Sequence, residues 1–287
     1  MMTKLPRLLT ALPAAAVLSL AAPSAEASWA LNMTPGISAM SREIYKLHML
    51  MFWWCVAIAI VVFGFMIYSM VHFRKSKGAV ADQHFLHSNR IEIIWTVVPV
   101  LILLGMAIPS FRLLFDYHDM PTPDVTVKAT GYQWYWGYGY PDLKIDEETS
   151  NILPEDKAKA AGVPYMLATT QPMIVPVNKV VHVLVTGADV IHSFSVPAFG
   201  IKIDAVPGRM NETWFKATQT GTFYGQCSQL CGTDHSFMPI EVKVVSQADF
   251  NTWVASKQPA PTPAATNAAA PAPGPTAAAA PAPPAKS

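Results

Sequence analysis

The stretch LHMLMFWWCVAIAIVVFGFMIYSMVHF, residues 47–73, decides the architecture of this chain because it contains no Asp, Glu, Lys or Arg. A helix needs ~20 apolar residues to cross the hydrocarbon core of a bilayer, and this run is longer. A buried core helix is the alternative, but so long a run that is apolar on every face is typical of a membrane span. The run therefore predicts a transmembrane helix over about residues 47–73.

A second uncharged run, residues 93–111, predicts another membrane helix over about residues 92–115, bent at its two prolines. The connecting residues 72–90 hold four basic side chains and one acidic side chain. Basic loops stay in the cytoplasm, so both ends of the mature chain are expected outside it. Residues 28–120 are therefore predicted to form a helical hairpin.

The amino terminus has the features of a secretory signal peptide. Lys4 and Arg7 precede an apolar stretch at residues 8–22, and the small residues Ala25 and Ala27 frame a cleavage site. A first membrane anchor is the alternative, although two prolines shorten the apolar stretch. Residues 1–27 are predicted to be a cleaved signal, which agrees with the topology of the hairpin.

Beyond the hairpin, short β-type runs alternate with Gly- and Pro-containing turns, which predicts an exported all-β sandwich or barrel over residues 121–257. The run VVHVLV at residues 180–185 is apolar on both faces and suits a sandwich core. Residues 143–164 have the composition of a surface insertion. The predicted strands cover residues 125–131, 174–177, 180–186, 194–196, 201–206, 212–217 and 240–245.

Composition narrows the classes of protein further. The chain is 52% hydrophobic and 14% charged, which excludes an intrinsically disordered chain as a whole. Its net charge of +1 argues against a nucleic-acid binder. Residues 258–287 are almost entirely Ala and Pro and are predicted to form a disordered tail. The β region carries more acidic than basic residues, which favours a basic partner.

The segment GQCSQLCGTDHSFMP, residues 225–239, places Cys227, Cys231, His235 and Met238 within twelve residues. Such soft ligands select copper, zinc or iron–sulfur clusters. A disulfide between the cysteines is the simplest alternative in an exported domain, but it needs no nearby histidine or methionine. Zinc has little use for a thioether. The cluster therefore favours copper over a disulfide or zinc.

The second thiolate is one more than a mononuclear electron-transfer copper site requires, and it can bridge a second copper ion. Two copper ions call for a second histidine. His192 directly follows the apolar strand and its turn, where a loop ligand is expected. His182 competes, but its position inside an alternating strand is more typical of a core or surface residue.

These motifs resemble subunit 2 of the haem–copper cytochrome c oxidases over about residues 40–256. The resemblance implies a two-helix transmembrane hairpin that bears an all-β, cupredoxin-like Greek-key barrel. It also implies a binuclear copper A centre, in which bridging thiolates let two coppers share one unpaired electron. The implied ligands are His192, Cys227, the backbone carbonyl of Gln229, Cys231, His235 and Met238.

The resemblance assigns roles to other residues. Trp134, in the aromatic stretch at residues 131–140, corresponds to the tryptophan that accepts electrons from cytochrome c. Glu92 corresponds to a glutamate at the mouth of a proton pathway, although an acid there could instead favour the helix amino terminus. Asp142 and Asp189 are the candidates for docking a basic cytochrome.

The sequence departs from the family at three positions. Relatives often have His where this chain has Tyr132. They often have an acidic residue where this chain has Gly139, and the missing carboxylate weakens the docking patch. Many relatives also have Glu at Gln229, where its carboxylate ligates a magnesium ion between subunits 1 and 2. An amide is a poorer magnesium ligand, so Gln229 makes the magnesium site that the resemblance implies doubtful in this chain.

The function that the resemblance implies is that of the subunit through which electrons enter cytochrome c oxidase, an enzyme of the respiratory chain. Copper A receives electrons from cytochrome c and passes them to the haem–copper centre of subunit 1. Oxygen is reduced there to water, coupled to proton translocation. The expected partners are subunits 1 and 3, cytochrome c and the bacterial inner membrane, with the N-terminus and the copper domain on the periplasmic side.

Four other functions fit less well. A membrane-anchored copper carrier would hold one exchangeable ion, and a thiol–disulfide oxidoreductase would need a helix that lowers the thiolate pKa. Nitrous oxide reductase shares the copper ligands but lacks this helical hairpin. Quinol-oxidase relatives lack the ligands themselves.

Overall fold

The structure, a computed structural model, describes residues 32–80, 84 and 87–258. The predicted signal peptide, and the predicted tail beyond residue 258, lie outside these residues. The helices are α1 (Ala39–His72), α2 (Asn89–His118), α3 (Glu155–Ala161) and α4 (Gln247–Lys257). The strands are β1 (Val125–Tyr132), β2 (Tyr135–Tyr140), β3 (Ile145–Ser150), β4 (Met173–Pro176), β5 (Val181–Gly187), β6 (His192–Val196), β7 (Ile201–Ala205), β8 (Asn211–Phe215), β9 (Gly221–Cys227) and β10 (Pro239–Val245).

Helices α1 and α2 are long and apolar enough to cross a membrane. None of the residues in their most apolar 18-residue windows is buried by the rest of the described chain, so neither is a core helix. Helix α1 begins eight residues before the predicted span because Ser38 caps it. The Ser38 hydroxyl accepts from the Ser41 N–H at 2.9 Å, and the Ser41 hydroxyl accepts from the Ser38 N–H at 2.9 Å.

The ten strands form two five-stranded sheets. The strand order is β3-β2-β1-β5-β8 in the first sheet and β4-β10-β9-β6-β7 in the second. The pairs β1–β5 and β4–β10 are parallel, while the others are antiparallel. This arrangement, carried by a pair of long apolar helices, confirms the predicted hairpin with an all-β domain of the cupredoxin type.

Strands β2, β3 and β9 were not among the predicted strands, for two physical reasons. Glycines interrupt β2 and β9, and glycine has a low strand propensity because it has no side chain to pack. Strand β3 lies at a sheet edge and half of its residues are acidic, since edge strands often carry charged side chains. The segment interpreted as a surface insertion therefore holds β3 and α3.

Aromatic side chains fill the space between the sheets. Trp136 and Phe194 pack edge to face with ring centroids 5.3 Å apart, and Phe199 stacks on Phe215 at 4.2 Å. All four are fully buried. Burying each such side chain stabilises the fold by about 1.5–3 kcal/mol. This cluster therefore holds the strands, and the loops at their ends, in fixed positions.

The membrane hairpin is joined to the β domain by hydrogen bonds at both helices. Ahead of α1, the Ile37 N–H donates to the Ala198 carbonyl at 2.8 Å. At the end of α2, the Trp214 indole donates to the Tyr117 carbonyl at 3.0 Å. Gly200 has φ +74°, and a Cβ there would lie 2.9 Å from the Ser41 Cα. The start of α1 therefore needs glycine at this position.

Candidate metal centre

Two antiparallel strands bring the predicted donor residues together. Strand β9 ends at Cys227, and the loop that follows carries Cys231, His235 and Met238 before β10 begins. His192 is the first residue of β6, which pairs with β9 so that Phe194 lies opposite Cys227. Strand pairing thus places a histidine 35 residues upstream beside the first cysteine.

The two cysteines are free thiols that face each other. Their Sγ atoms lie 4.0 Å apart, about twice the ~2.05 Å of a disulfide bond. The Nδ1 atom of His192 lies 4.0 Å from the Cys227 Sγ. The donor atoms of His192, Cys227 and Cys231 all fall within 4.8 Å of one another, and all three residues are buried. This spacing suits a soft metal ion.

Three more donor atoms border the thiols. His235 Nδ1 lies 3.5 Å from the Cys231 Sγ, and the Cys231 thiol donates to the Met238 Sδ at 3.5 Å. The Cys227 thiol donates to the Gln229 carbonyl at 3.3 Å. Met238 is buried and His235 is half-buried. The cluster offers two sulfurs in the middle, with two imidazoles, a thioether and a carbonyl around them, a donor set that fits copper.

The thiols differ in acidity. Burial raises the pKa of Cys227, but hydrogen bonds with His192 and with the Ser193 backbone outweigh it and bring that pKa to about 7. Burial and the neighbouring Cys227 charge raise the pKa of Cys231 to about 12. Burial lowers the pKa of His192, but contacts with Cys227 and Asp189 raise it overall. A bound metal cation would displace these protons, so metal affinity should rise with pH.

Asp189 orients the His192 ring. Its Oδ1 lies 2.9 Å from the His192 Nε2, which leaves Nδ1 facing the thiols. The ring also lies against two neighbours: the Trp136 ring at a centroid distance of 6.1 Å, and Gly131, where a Cβ would come within 2.9 Å of it. Asp189 also accepts the Gln133 N–H at 2.7 Å. One carboxylate thus links the histidine to the turn between β1 and β2.

Trp134 lies in this turn and contacts the cysteine loop. A Cβ on Gly232, the residue after Cys231, would lie 3.0 Å from the Trp134 ring. The neighbouring Gln133 side chain donates to the Cys231 carbonyl at 2.8 Å. The peptide bond between Gln133 and Trp134 is cis. The structure therefore brings the predicted tryptophan directly against the donor cluster.

Three residues considered from the sequence lie elsewhere. Asp142 is exposed beyond the far end of β2, which is about 20 Å long at ~3.3 Å per residue. Glu92 is in the first turn of α2, where its carboxylate accepts the Ser88 N–H at 3.3 Å. His182, the competing histidine, bonds to Glu212 at 3.0 Å on the β5–β8 pair. None of them joins the cluster.

Glu147 is a residue near the aromatic turn that sequence reasoning missed. It accepts the Thr130 and Tyr132 hydroxyls, each at 2.7 Å. Burial raises its pKa, but these bonds and Lys128 lower it overall, so the carboxylate stays ionised. It lies across Gly137, where a Cβ would come within 2.3 Å of the Glu147 Oε1. A carboxylate from β3 thus occupies the face where Gly139 lacks one, and only the pairing of β2 with β3 reveals it.

Comparison with known proteins gives matches along most of the chain. Residues 125–245 match the family described as cytochrome c oxidase subunit II, periplasmic domain. Residues 25–113 match the family described as cytochrome c oxidase subunit II, transmembrane domain.

Individual relatives agree with these matches. The chain is 43% identical to a probable cytochrome c oxidase subunit 2 from Rickettsia prowazekii over 230 residues, 80% of this chain and 73% of the relative. It is also 43% identical to cytochrome c oxidase subunit 2 from Cereibacter sphaeroides, over 77% of this chain and 78% of the relative. A crystal structure of the periplasmic domain of subunit II of cytochrome oxidase from Bradyrhizobium japonicum is 56% identical. The match covers 48% of this chain and 96% of the chain in that crystal structure, with a TM-score of 0.45.

Proposed function

This chain belongs to the cytochrome c oxidase subunit II family, and from that premise we propose that it is the subunit through which electrons enter the oxidase. Electrons would come from cytochrome c and leave to the haem–copper centre of subunit 1, where oxygen is reduced to water with coupled proton translocation. The observation that carries this proposal is the convergence of His192, Cys227 and Cys231 within 4.8 Å.

The proposed ligands of a binuclear copper A centre are the six groups of the cluster. The two thiolates lie in the middle of the set and would be held in common by the ions. The other ligands would be His192, His235, Met238 and the Gln229 carbonyl. When bound, such a copper pair supplies a one-electron redox centre whose bond lengths change little between states.

The protein itself would hold the donor groups in fixed positions and keep water away from them. Strands β6 and β9 hold His192 and Cys227 in register, and Asp189 keeps the imidazole in one orientation. The buried positions of both cysteines exclude water from the thiolates. Little reorganisation is then needed when an electron arrives, because the donors are already in place.

A metal analysis of the full-length protein, purified in detergent and loaded with equal amounts of Cu⁺ and Cu²⁺, tests the proposal. We expect two coppers per chain and a paramagnetic spectrum in which one unpaired electron is shared equally by two copper nuclei. One zinc per chain, or a Cys227–Cys231 disulfide that excludes copper, would overturn the assignment.

We propose Trp134 as the residue that receives electrons from cytochrome c. Its contact with Gly232, next to Cys231, supports a short path from the protein surface to the thiolates. Its indole N–H is buried, and no partner for it occurs within the described part of the chain. The indole is therefore held by packing against the cysteine loop.

Trp134→Phe is expected to slow electron transfer from reduced cytochrome c by about 100-fold, the usual cost of misplacing a reacting group by about 1 Å, while the copper spectrum stays unchanged. The smaller ring loses contact with the cysteine loop, but no proposed copper ligand changes. Stopped-flow oxidation of cytochrome c measures the rate. Trp253→Phe is the matched control because Trp253 packs on Tyr140, away from the cluster, and should leave the rate unchanged. A wild-type rate in Trp134→Phe would remove the proposed role.

The donor is proposed to dock around Trp134 through the acidic residues of this face. Asp189 is the nearer of the two predicted acids, since it bonds to the turn that carries Trp134. Asp142 lies at the far end of β2 and would contact only the periphery of a docked cytochrome. Glu147 is a third candidate, ionised and beside Gly137. The basic partner favoured by the charge of the β region fits all three positions.

Subunit 1 is proposed to cover the apolar rim of the cysteine loop. Ile191, Leu230 and Phe237 are exposed large apolar side chains beside the donor residues, with Leu230 76% exposed. Contiguous exposed apolar residues are typical of protein interfaces. Subunit 3 is expected as a further member of the complex. Because Gln229 offers an amide instead of a carboxylate, no magnesium ion is proposed at this boundary.

The chain is a membrane protein, and we propose the bacterial inner membrane with the β domain on the periplasmic side. The basic residues between α1 and α2 support this orientation. Glu92, at the opposite end of the hairpin from the β domain, is proposed as the entrance of a proton pathway. Its hydrogen bond to Ser88 also stabilises the start of α2, so the residue would serve both purposes.

A further inference from the structure

A groove with a volume of about 360 Å³ lies between α1 and α2 at the end of the hairpin that carries the β domain. Small-molecule sites typically have volumes of roughly 300–1,000 Å³. Its floor is apolar and consists of Leu47, Leu50, Pro109 and Leu113. The proposed electron transfer makes no use of this groove, and no donor residue of the metal centre lines it.

Four charged side chains form the rim of the groove: Glu43 and Lys46 from α1, and Arg112 and Asp116 from α2. They flank the uncharged runs at residues 47–73 and 93–111. The groove therefore lies at the boundary between the membrane and water, with its floor towards the hydrocarbon. A ligand here would have an apolar part and a polar part.

The charges are ordered by depth. Helix α1 enters the membrane, so Glu43 lies farther out than Lys46 by about 4.5 Å, at ~1.5 Å per residue. Helix α2 leaves the membrane, so Asp116 lies farther out than Arg112 by about 6 Å. From the membrane outwards, each helix therefore presents an apolar residue, then a cation, then an anion, and Leu113 lies at about the depth of Arg112.

We propose that this groove binds a zwitterionic phospholipid with a primary ammonium group, of the phosphatidylethanolamine type. The acyl chains, the phosphate and the ammonium of such a lipid follow one another from the membrane outwards. They complement, in the same order, the apolar residues, the cations and the anions of the groove. A guanidinium can hold a phosphate through two parallel hydrogen bonds, and a primary ammonium can donate to both carboxylates. An anionic headgroup would offer no positive partner to Asp116 and would place a second negative charge near both carboxylates.

The rim has capacity for such a ligand. Lys46 bonds to Glu43 at 2.7 Å, but both side chains are more than half exposed, so this ion pair is weak and exchangeable. Across residues 32–80, 84 and 87–258, the ion pairs include neither Arg112 nor Asp116. A lipid phosphate near Arg112 and an ammonium near Asp116 would supply the missing partners.

Native mass spectrometry of the assembled, delipidated oxidase tests this proposal. Dioleoyl phosphatidylethanolamine, phosphatidylcholine and phosphatidylglycerol are titrated separately, since they share acyl chains and differ only in the headgroup. We expect the tightest site for phosphatidylethanolamine. Arg112→Gln should weaken that site by about tenfold, the effect of one charge-assisted contact. Asp116→Asn should reduce the preference over phosphatidylglycerol.

Two further variants serve as controls for Arg112→Gln. Arg112→Lys keeps the positive charge and should retain most of the binding. Arg42→Gln removes an exposed cation from the same end of α1 but outside the groove, and should leave binding unchanged. Copper content shows that each variant is folded. Equal effects of Arg42→Gln and Arg112→Gln, equal wild-type affinity for phosphatidylglycerol, or another subunit covering the groove would each overturn the proposal.

Discussion

Cys227→Ser is expected to abolish the paramagnetic copper signal and to lower copper affinity by more than about 100-fold. Loss of a group that only hydrogen-bonds to a metal ligand costs roughly 10–100-fold in metal affinity, and Cys227 is itself proposed as a ligand. The serine hydroxyl remains protonated at neutral pH, whereas the Cys227 thiol has a pKa of about 7. Metal analysis and the paramagnetic spectrum of the purified full-length protein measure the effect.

Cys55→Ser is the matched control for this substitution. Cys55 is an exposed, free cysteine on α1, so its replacement removes one thiol without touching the donor cluster. It should leave copper content and electron transfer unchanged. If Cys227→Ser retained two coppers and the wild-type spectrum, the cluster would not be the copper site, and the proposed function would lose the observation that carries it.

Gly225→Ala is expected to lower the free energy of unfolding of the β domain by about 3 kcal/mol or more, above the usual cost of overpacking. A Cβ at this position would lie 2.0 Å from the Ser195 carbonyl oxygen. Backbone oxygen cannot rotate away as a side chain can, so β6 and β9 must separate. Those two strands carry His192 and Cys227, and the copper site should be lost at the same time.

Thermal unfolding of the full-length protein, followed by circular dichroism of the β domain, measures the change in stability, and the copper spectrum at low temperature measures the loss of the metal site. Gly139→Ala is the matched control because its Cβ would meet Glu147 at 3.4 Å, an ordinary van der Waals distance. We expect a loss of about 10 °C in Tm for Gly225→Ala and little change for the control. Equal Tm values for both variants would contradict the close approach of the two strands.

The hairpin and most of the strands followed from the sequence because hydropathy acts locally. Residues 47–73 had to leave water whatever the rest of the chain did. The extra turns of α1 did not follow, since they depend on the Ser38 cap and on Gly200 beneath Ser41. Strand β9 was not predicted because glycine has a low strand propensity, and β9 contains Gly225. The neighbouring strand β6 requires glycine at this position.

The donor residues show the same division. Cys227, Cys231, His235 and Met238 stand within twelve residues, so a short loop alone keeps them near one another, and their chemistry could be inferred from spacing. His192 was inferred only as the better of two histidines, and the pairing of β6 with β9 decided between them.

Residues that come from distant strands could not be assigned in this way. The sequence alone determined what the chain is made of: two membrane spans, a β domain and a soft-ligand loop. Only the tertiary structure decided that Asp189 orients His192, that Glu147 lies beside Gly137, and that Arg112 and Lys46 share a groove. The reason is physical, because periodicity and spacing report local conformation, whereas a contact between remote residues exists only once strands and helices have paired.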